Sequence, residues 1–159
     1  MPSSQIFGDF FEYHYALYDR IWESLEMLTE AAYHLSHNYS RGSIHEQMFH
    51  AVATDRAWLR GIQGHPRKPR LDPADYPNRQ ALRTLYEDVR KEVEAYIASL
   101  SEAELERIPE NFYGPVWQVL LHMVNHGTDH RAQILRLLHE SGAETFDQDY
   151  ILWAWRRNR

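Results

Sequence analysis

Leu120-Leu-His-Met-Val-Asn-His-Gly-Thr-Asp-His-Arg-Ala-Gln-Ile-Leu-Arg136 is the stretch whose reading decides the fold. It holds three histidines, His122, His126 and His130, at four-residue intervals. Four residues turn an α-helix by roughly 400°, so the three fall within about 80° of one another. Val119, Met123, His126, His130, Ile134 and Leu137 follow steps of three and four, which puts His126 and His130 on a core-directed stripe. His122 falls instead with Gln118, Asn125, Asp129, Gln133 and Arg136 on a polar flank and is the weaker ligand candidate.

Working outward, the chain reads as all-α. Asp9 can cap a first helix whose apolar positions Phe10, Leu17, Ile21, Leu25 and Leu28 recur at helical steps and which should reach about Met27. Thr29–His34 offers a further short turn of helix, and His37-Asn-Tyr-Ser-Arg-Gly42 collects loop formers. Ser43 and Glu46 have the spacing of a capping box, in which hydroxyl and carboxylate satisfy free N–H groups at a helix start. The helix they open buries Ile44, Met48, Ala51, Val52, Leu59 and Ile62, and Gly61 and Gly64 should end it.

Between Gly64 and Asn78 stand Pro66, Pro69, Pro73 and Pro77, a density that prevents a continuous helix. This connection, with its basic Arg67–Arg70 run, reads either as a binding loop or as a crossover at the bundle end. Leu82, Leu85, Tyr86, Val89, Val93, Tyr96, Ile97 and Leu100 mark the next helix. Ser101–Glu104 repeats the capping-box spacing for a short helix stopped by Pro109. Gly114-Pro115 opens the histidine-bearing helix, with proline suited to the first helical position, and Ser141-Gly142 ends it. Four long amphipathic helices predict a four-helix bundle in a single domain, residues 1–159. The tail Tyr150-Ile-Leu-Trp-Ala-Trp155 is too apolar for a free end and should pack on the bundle or a partner, with Arg156–Arg159 solvated.

Composition narrows the function. The formal net charge of −6 disfavours nucleic acid and anionic lipid surfaces as partners. No cysteine is present, which removes disulfides, thiolate ligands and a cysteine nucleophile and leaves nitrogen and oxygen donors. The N-terminus has no basic n-region or apolar h-region, and no stretch approaches the roughly 18 apolar residues of a membrane span. A soluble, cytoplasmic protein is the expectation.

Two inward histidines four apart form either a hydrogen-bonded core pair or the chelating arrangement of zinc helices, because both side chains lean over one turn. A metal needs a third ligand, and the second long helix offers His45 and His50. Periodicity does not choose between them.

Ser43-Ile44, His50, Asp55, Trp58-Leu59, Gly64 and Pro66, followed by Asn125-His126, His130-Arg131 and Gln133, resemble the two helix signatures of the DinB-like superfamily of bacterial four-helix bundles. The resemblance runs from Phe10 to about Gly142. Two positions depart from the pattern: Asp129 stands where histidine is common, and Ala132 where glycine is common. The resemblance implies a metal held by His50, His126 and His130, a bundle running up-down-down-up with a long crossover between the second and third long helices, and frequent homodimers. It also implies a relation to transferases and isomerases that use mycothiol, bacillithiol or glutathione.

Three neutral imidazoles suit Zn²⁺ first, with Ni²⁺, Fe²⁺ or Mn²⁺ as other divalent transition metals, and leave a coordination position open. Such an ion can lower the pKa of a bound water to about 7 or deprotonate a thiol. The expected function is therefore a metal-dependent enzyme acting on a small molecule, a thiol-dependent S-transferase or a hydrolase. Its thiol must be external, because the chain has none. The alternative is a non-catalytic, stress-associated bundle whose metal is structural or whose site is vestigial. Asp129 is a candidate to orient a ring or accept a proton, against the plainer reading of a solvated flank. Arg131 is a candidate for a cofactor's carboxylate, against structural hydrogen bonding across the bundle. Asp55 is expected in helix–helix hydrogen bonding, and His14, His34, His37, His45, His65 and His139 receive no functional role.

Overall fold

The first helix starts well before Asp9. In this computed structural model, which describes residues 3–66 and 70–157, α1 spans Ser4–Glu26 and is capped by Ser3, whose hydroxyl accepts from Ile6 N–H. Phe7 and Phe11 are buried on its inner face with His14, Tyr18, Ile21 and Leu25, and that register, which begins before Asp9, leaves Phe10 half-buried. Asp9 lies within the helix and pairs with Arg157 at 2.9 Å.

The short helix expected over Thr29–His34 is α2, Glu30–His34, with Thr29 as its cap. Helix α3, Ile44–Ile62, opens on the Ser43–Glu46 capping box, with both reciprocal hydrogen bonds formed. Its predicted stripe of Ile44, Met48, Ala51, Val52, Leu59 and Ile62 is buried. Gly61 does not end α3. It sits inside the helix, where a β-carbon would crowd the Phe112 ring, and the reversal falls at Gly64 with φ +73°.

The proline-rich connection contains a 3-10 turn, Pro73–Asp75, capped by Asp72. Its Leu71 and Tyr76 are half-buried against the core, Tyr76 beside Phe49. Of the basic run, residues 67–69 lie outside the described residues. Helix α4, Arg79–Ala98, buries Leu82, Leu85, Tyr86, Val89 and Val93, while Tyr96, Ile97 and Leu100 are half-buried at its far end. The short α5, Glu102–Glu106, is capped by Ser101.

Helix α6, Val116–Glu140, begins one residue later than expected. Pro115 is its cap in extended conformation rather than its first helical residue, and Ser141 with Gly142 at φ +75° closes it. Helix α7, Tyr150–Arg157, packs back on α1: Tyr150 meets Phe10 and Tyr13, and Trp153 meets Tyr13. Arg157 is exposed but paired, at 2.9 Å from both Asp9 and Glu12; residues 158 and 159 lie outside the described residues.

The fold is all-α, seven α-helices and one 3-10 turn with no strand among the described residues. The four long helices form a bundle in which α1 and α3 each pack on both α4 and α6. No helix among those residues is long and apolar enough to cross a membrane.

Candidate metal centre

Gln47, His50 and Trp58 line the face of α3 that meets α6. Gln47 reaches His130 and Trp58 reaches His122, so the two helices pass one another in opposite senses. That pairing sets His50 across from His126 and His130, with ring centroids 5.3 and 4.6 Å away. One donor nitrogen from each of His50, His126 and His130 lies within 4.8 Å of the others, and this cluster can hold a metal ion. His45, the alternative left open by periodicity, is buried on another side of α3, against Tyr33 and His34 at 5.3 and 4.6 Å.

The chemistry of the cluster fits a cation. Burial, the neighbouring Arg41 and His126 push His50 down to about 4; burial with His126 and His50 does the same for His130. Burial also lowers His126. All three are neutral near pH 7 and offer lone pairs. Gln47 Oε1 stands 3.1 Å from His130 Nδ1 and can only accept, so that nitrogen carries the proton and His130 Nε2 is left as the donor atom. His126 Nε2 lies 3.0 Å from it, and His126 Nδ1 is buried without a hydrogen-bond partner among the described residues. Ligands about 2.0–2.1 Å from a tetrahedral zinc stand about 3.3 Å apart. The two Nε2 atoms approach that spacing.

Behind the cluster lies a buried polar network in which Asp55 and Arg131 make the cross-bundle hydrogen bonds expected of them, through His14, for which no role was expected. His14 and Arg131 are both 0% exposed. Arg131 Nη1 donates to His14 Nδ1 at 3.1 Å, which requires the proton of the imidazole on Nε2, and that nitrogen donates to Asp55 Oδ2 at 3.3 Å. Burial lowers the pKa of His14, in keeping with a neutral ring. Arg131 also donates to Thr128 Oγ1 and lies over the faces of Tyr13 and Tyr18. One neutral histidine thus bridges a carboxylate of α3 and a guanidinium of α6. Gly127 makes room for it, since a β-carbon there would overlap His14 Cε1. The glycine one residue past His126 was the available signal of a close approach, and the structure shows that α1 makes it.

The DinB family model matches residues 1–158. The chain belongs to the DinB family. It is also similar to Protein DinB of Bacillus subtilis (strain 168), 26% identical over 157 residues that cover 91% of each chain.

The other candidates of this DinB-family chain fall around the cluster. Asp129 is exposed and accepts from Gln133 Nε2 at 3.0 Å, which ties two members of the α6 signature together. Arg131, the candidate for a cofactor carboxylate, has the protein partners just described. Asp55 makes the helix–helix hydrogen bond expected of it, to α1. His122 is exposed at the rim, its ring 5.6 Å from that of His126 and 5.1 Å from that of Trp58. There Trp58, Phe112, Gly114, Gln118, Val119 and His122 line an open, shallow cleft of about 190 Å³. Gln47 and Arg41, which touch two of the three clustered histidines, were not singled out from sequence. Gln47 is one helical turn before His50, and Arg41 sits in a loop where periodicity has nothing to say.

Proposed function

We propose that this DinB-family protein is a metal-dependent enzyme, holding a divalent transition metal, zinc first, on His50, His126 and His130 and acting on a small molecule by thiol-dependent S-transfer or by hydrolysis. One observation carries the reading: three neutral imidazoles converge with no carboxylate joining them among the described residues, beside a cleft. Such an ion supplies Lewis-acid activation of a water or an external thiol. The protein's own part is to aim the donors. Gln47 fixes the tautomer of His130, and the α3–α6 packing brings His50 to the pair. Trp58 and His122 wall the approach. The same reading takes the long helices as up-down-down-up, supported by α3 and α6 passing in opposite senses and by Asp19 of α1 meeting Arg90 while Glu26 meets Arg83. It also takes the chain as a homodimer, for which exposed Ile151 and Trp155 of α7, at 48% and 59%, offer an apolar surface.

Metal content of purified protein beside His50→Ala and His126→Ala tests the site. Loss of metal in both variants is expected, and equal content in all three would overturn the assignment. Metal-dependent turnover of a model electrophile with mycothiol, bacillithiol or glutathione, or of an ester or amide, is then expected of the loaded protein. Turnover of none of these would favour a structural metal tying α3 to α6.

A further inference from the structure

The three imidazoles bring no charge to the cluster, and a cation is already fixed at its rim. Arg41 Nη2 lies 3.4 Å from His50 Nε2, and among the described residues its guanidinium pairs with no carboxylate. The nearby acids are engaged elsewhere: Asp55 holds His14, and Asp129 holds Gln133.

The turn that carries Arg41 is built. Ser40 adopts φ +47°, a left-handed conformation that a non-glycine residue takes at some strain, and Gly42 follows at φ +91°. Gly42 N–H donates to Tyr39 O, and Gly42 O accepts from His37 N–H. The Ser40 hydroxyl donates to Gln133 Oε1, and the Arg136 guanidinium covers the Tyr39 ring at 4.2 Å. The loop is thereby fastened to α6, the helix bearing two of the three histidines.

We propose that Arg41 is the anion-recognising residue of this site, and that the ligand is a small carboxylate whose charge is held at Arg41 beside the histidine cluster. A divalent ion on three neutral ligands carries its full charge, and with Arg41 the rim is more cationic still, so an anion is favoured over a neutral molecule of the same shape. The proposal rests on the metal reading above for the second half of that charge; Arg41 supplies the first half alone.

The test is calorimetric titration of 4-phenylbutyrate and its neutral amide into zinc-loaded and zinc-free protein, with zinc content measured on every sample. The loaded wild type is expected to bind the acid at least about tenfold more tightly than the amide, a difference of about 1.4 kcal/mol. Arg41→Ala should abolish the preference for the acid in zinc-free protein and diminish it in loaded protein, with zinc content unchanged, and Arg41→Lys should restore part of the difference. Equal affinity of acid and amide for the wild type, no binding of the acid, or an undiminished preference in Arg41→Ala would each overturn the proposal. If the wild type fails to retain zinc, the metal reading falls separately, and the acid-over-amide preference of the zinc-free protein, with its loss in Arg41→Ala, still decides the role of Arg41.

Discussion

At Gly127 a single methyl group would overlap His14 Cε1 and press on Arg131 Nη1, and neither can yield: both are fully buried and hydrogen-bonded to each other. Alanine ordinarily favours a helix over glycine by about 1 kcal/mol, whereas overpacking of this kind costs about 1–3 kcal/mol. Gly127→Ala is therefore expected to lower stability by up to about 2 kcal/mol despite its better helix propensity, read from the urea midpoint; an unchanged or raised midpoint would show that the network has room. The histidines of the cluster carry a second expectation. His50 and His130 are held at about 4 and His126 and His14 are lowered, all chiefly by burial, while in the unfolded chain each titrates near 6.5. Below 6.5 the unfolded chain takes up protons that the folded one refuses, so the stability these groups allow is full above that pH and is lost as the pH falls toward 4. Urea midpoints of metal-free protein should fall steadily from pH 6.5 to pH 4.5, and His130→Gln should flatten that slope. A midpoint independent of pH across this window would contradict the buried, neutral state of the rings.

Among the elements, α3 shows how local chemistry serves a distant site. Its capping box fixes where the helix starts, and the start fixes the angle at which Gln47 and His50 leave it. Ser43→Ala removes the hydroxyl that accepts from Glu46 N–H at 3.1 Å and should lower stability by about 1 kcal/mol, or Tm by about 2–4 °C. His50 lies beyond the first turn and is braced by α6, so zinc content should stay at the wild-type level; loss of zinc would mean that the cap, not the packing, holds the ligand. This element was legible in the sequence because cap and stripe are local signals. The stripe of α6 was legible for the same reason, down to the exposed place of His122. The start of α1 was not: Ser3 and Asp9 are both acceptable caps, and the choice was made by burial of Phe7 and Phe11 against other helices. Hydrogen bonding by Asp55 and Arg131 was expected, but their joining through His14 was hidden likewise, since it lies 41 and 117 residues from them and no spacing rule spans three helices. A loop arginine beside His50 has no periodicity at all. What escaped the sequence was in each case set by tertiary packing.

For the molecule as a whole, the cluster is a tie between α3 and α6, which otherwise meet through packing and the Gln47–His130 hydrogen bond. The unfolded chain scatters the three donors, since His50 and His126 are far apart in sequence, so an ion that binds the folded protein adds its binding free energy to stability. At a free zinc concentration about 100 times the dissociation constant the gain is about 2.7 kcal/mol. For a domain of this size each kcal/mol moves Tm by about 2–4 °C, so zinc should raise Tm by roughly 5–10 °C in differential scanning calorimetry. The rise should vanish in His50→Ala, a change at a half-buried position, and it should disappear when a chelator is added to the wild type. His45→Ala is the informative control: it too removes a histidine from α3, but one that faces Tyr33 and His34, so the protein should lose some baseline stability and keep the whole zinc-dependent increment. An increment that survives His50→Ala but not His45→Ala would place the metal on the other side of α3 and reverse the assignment.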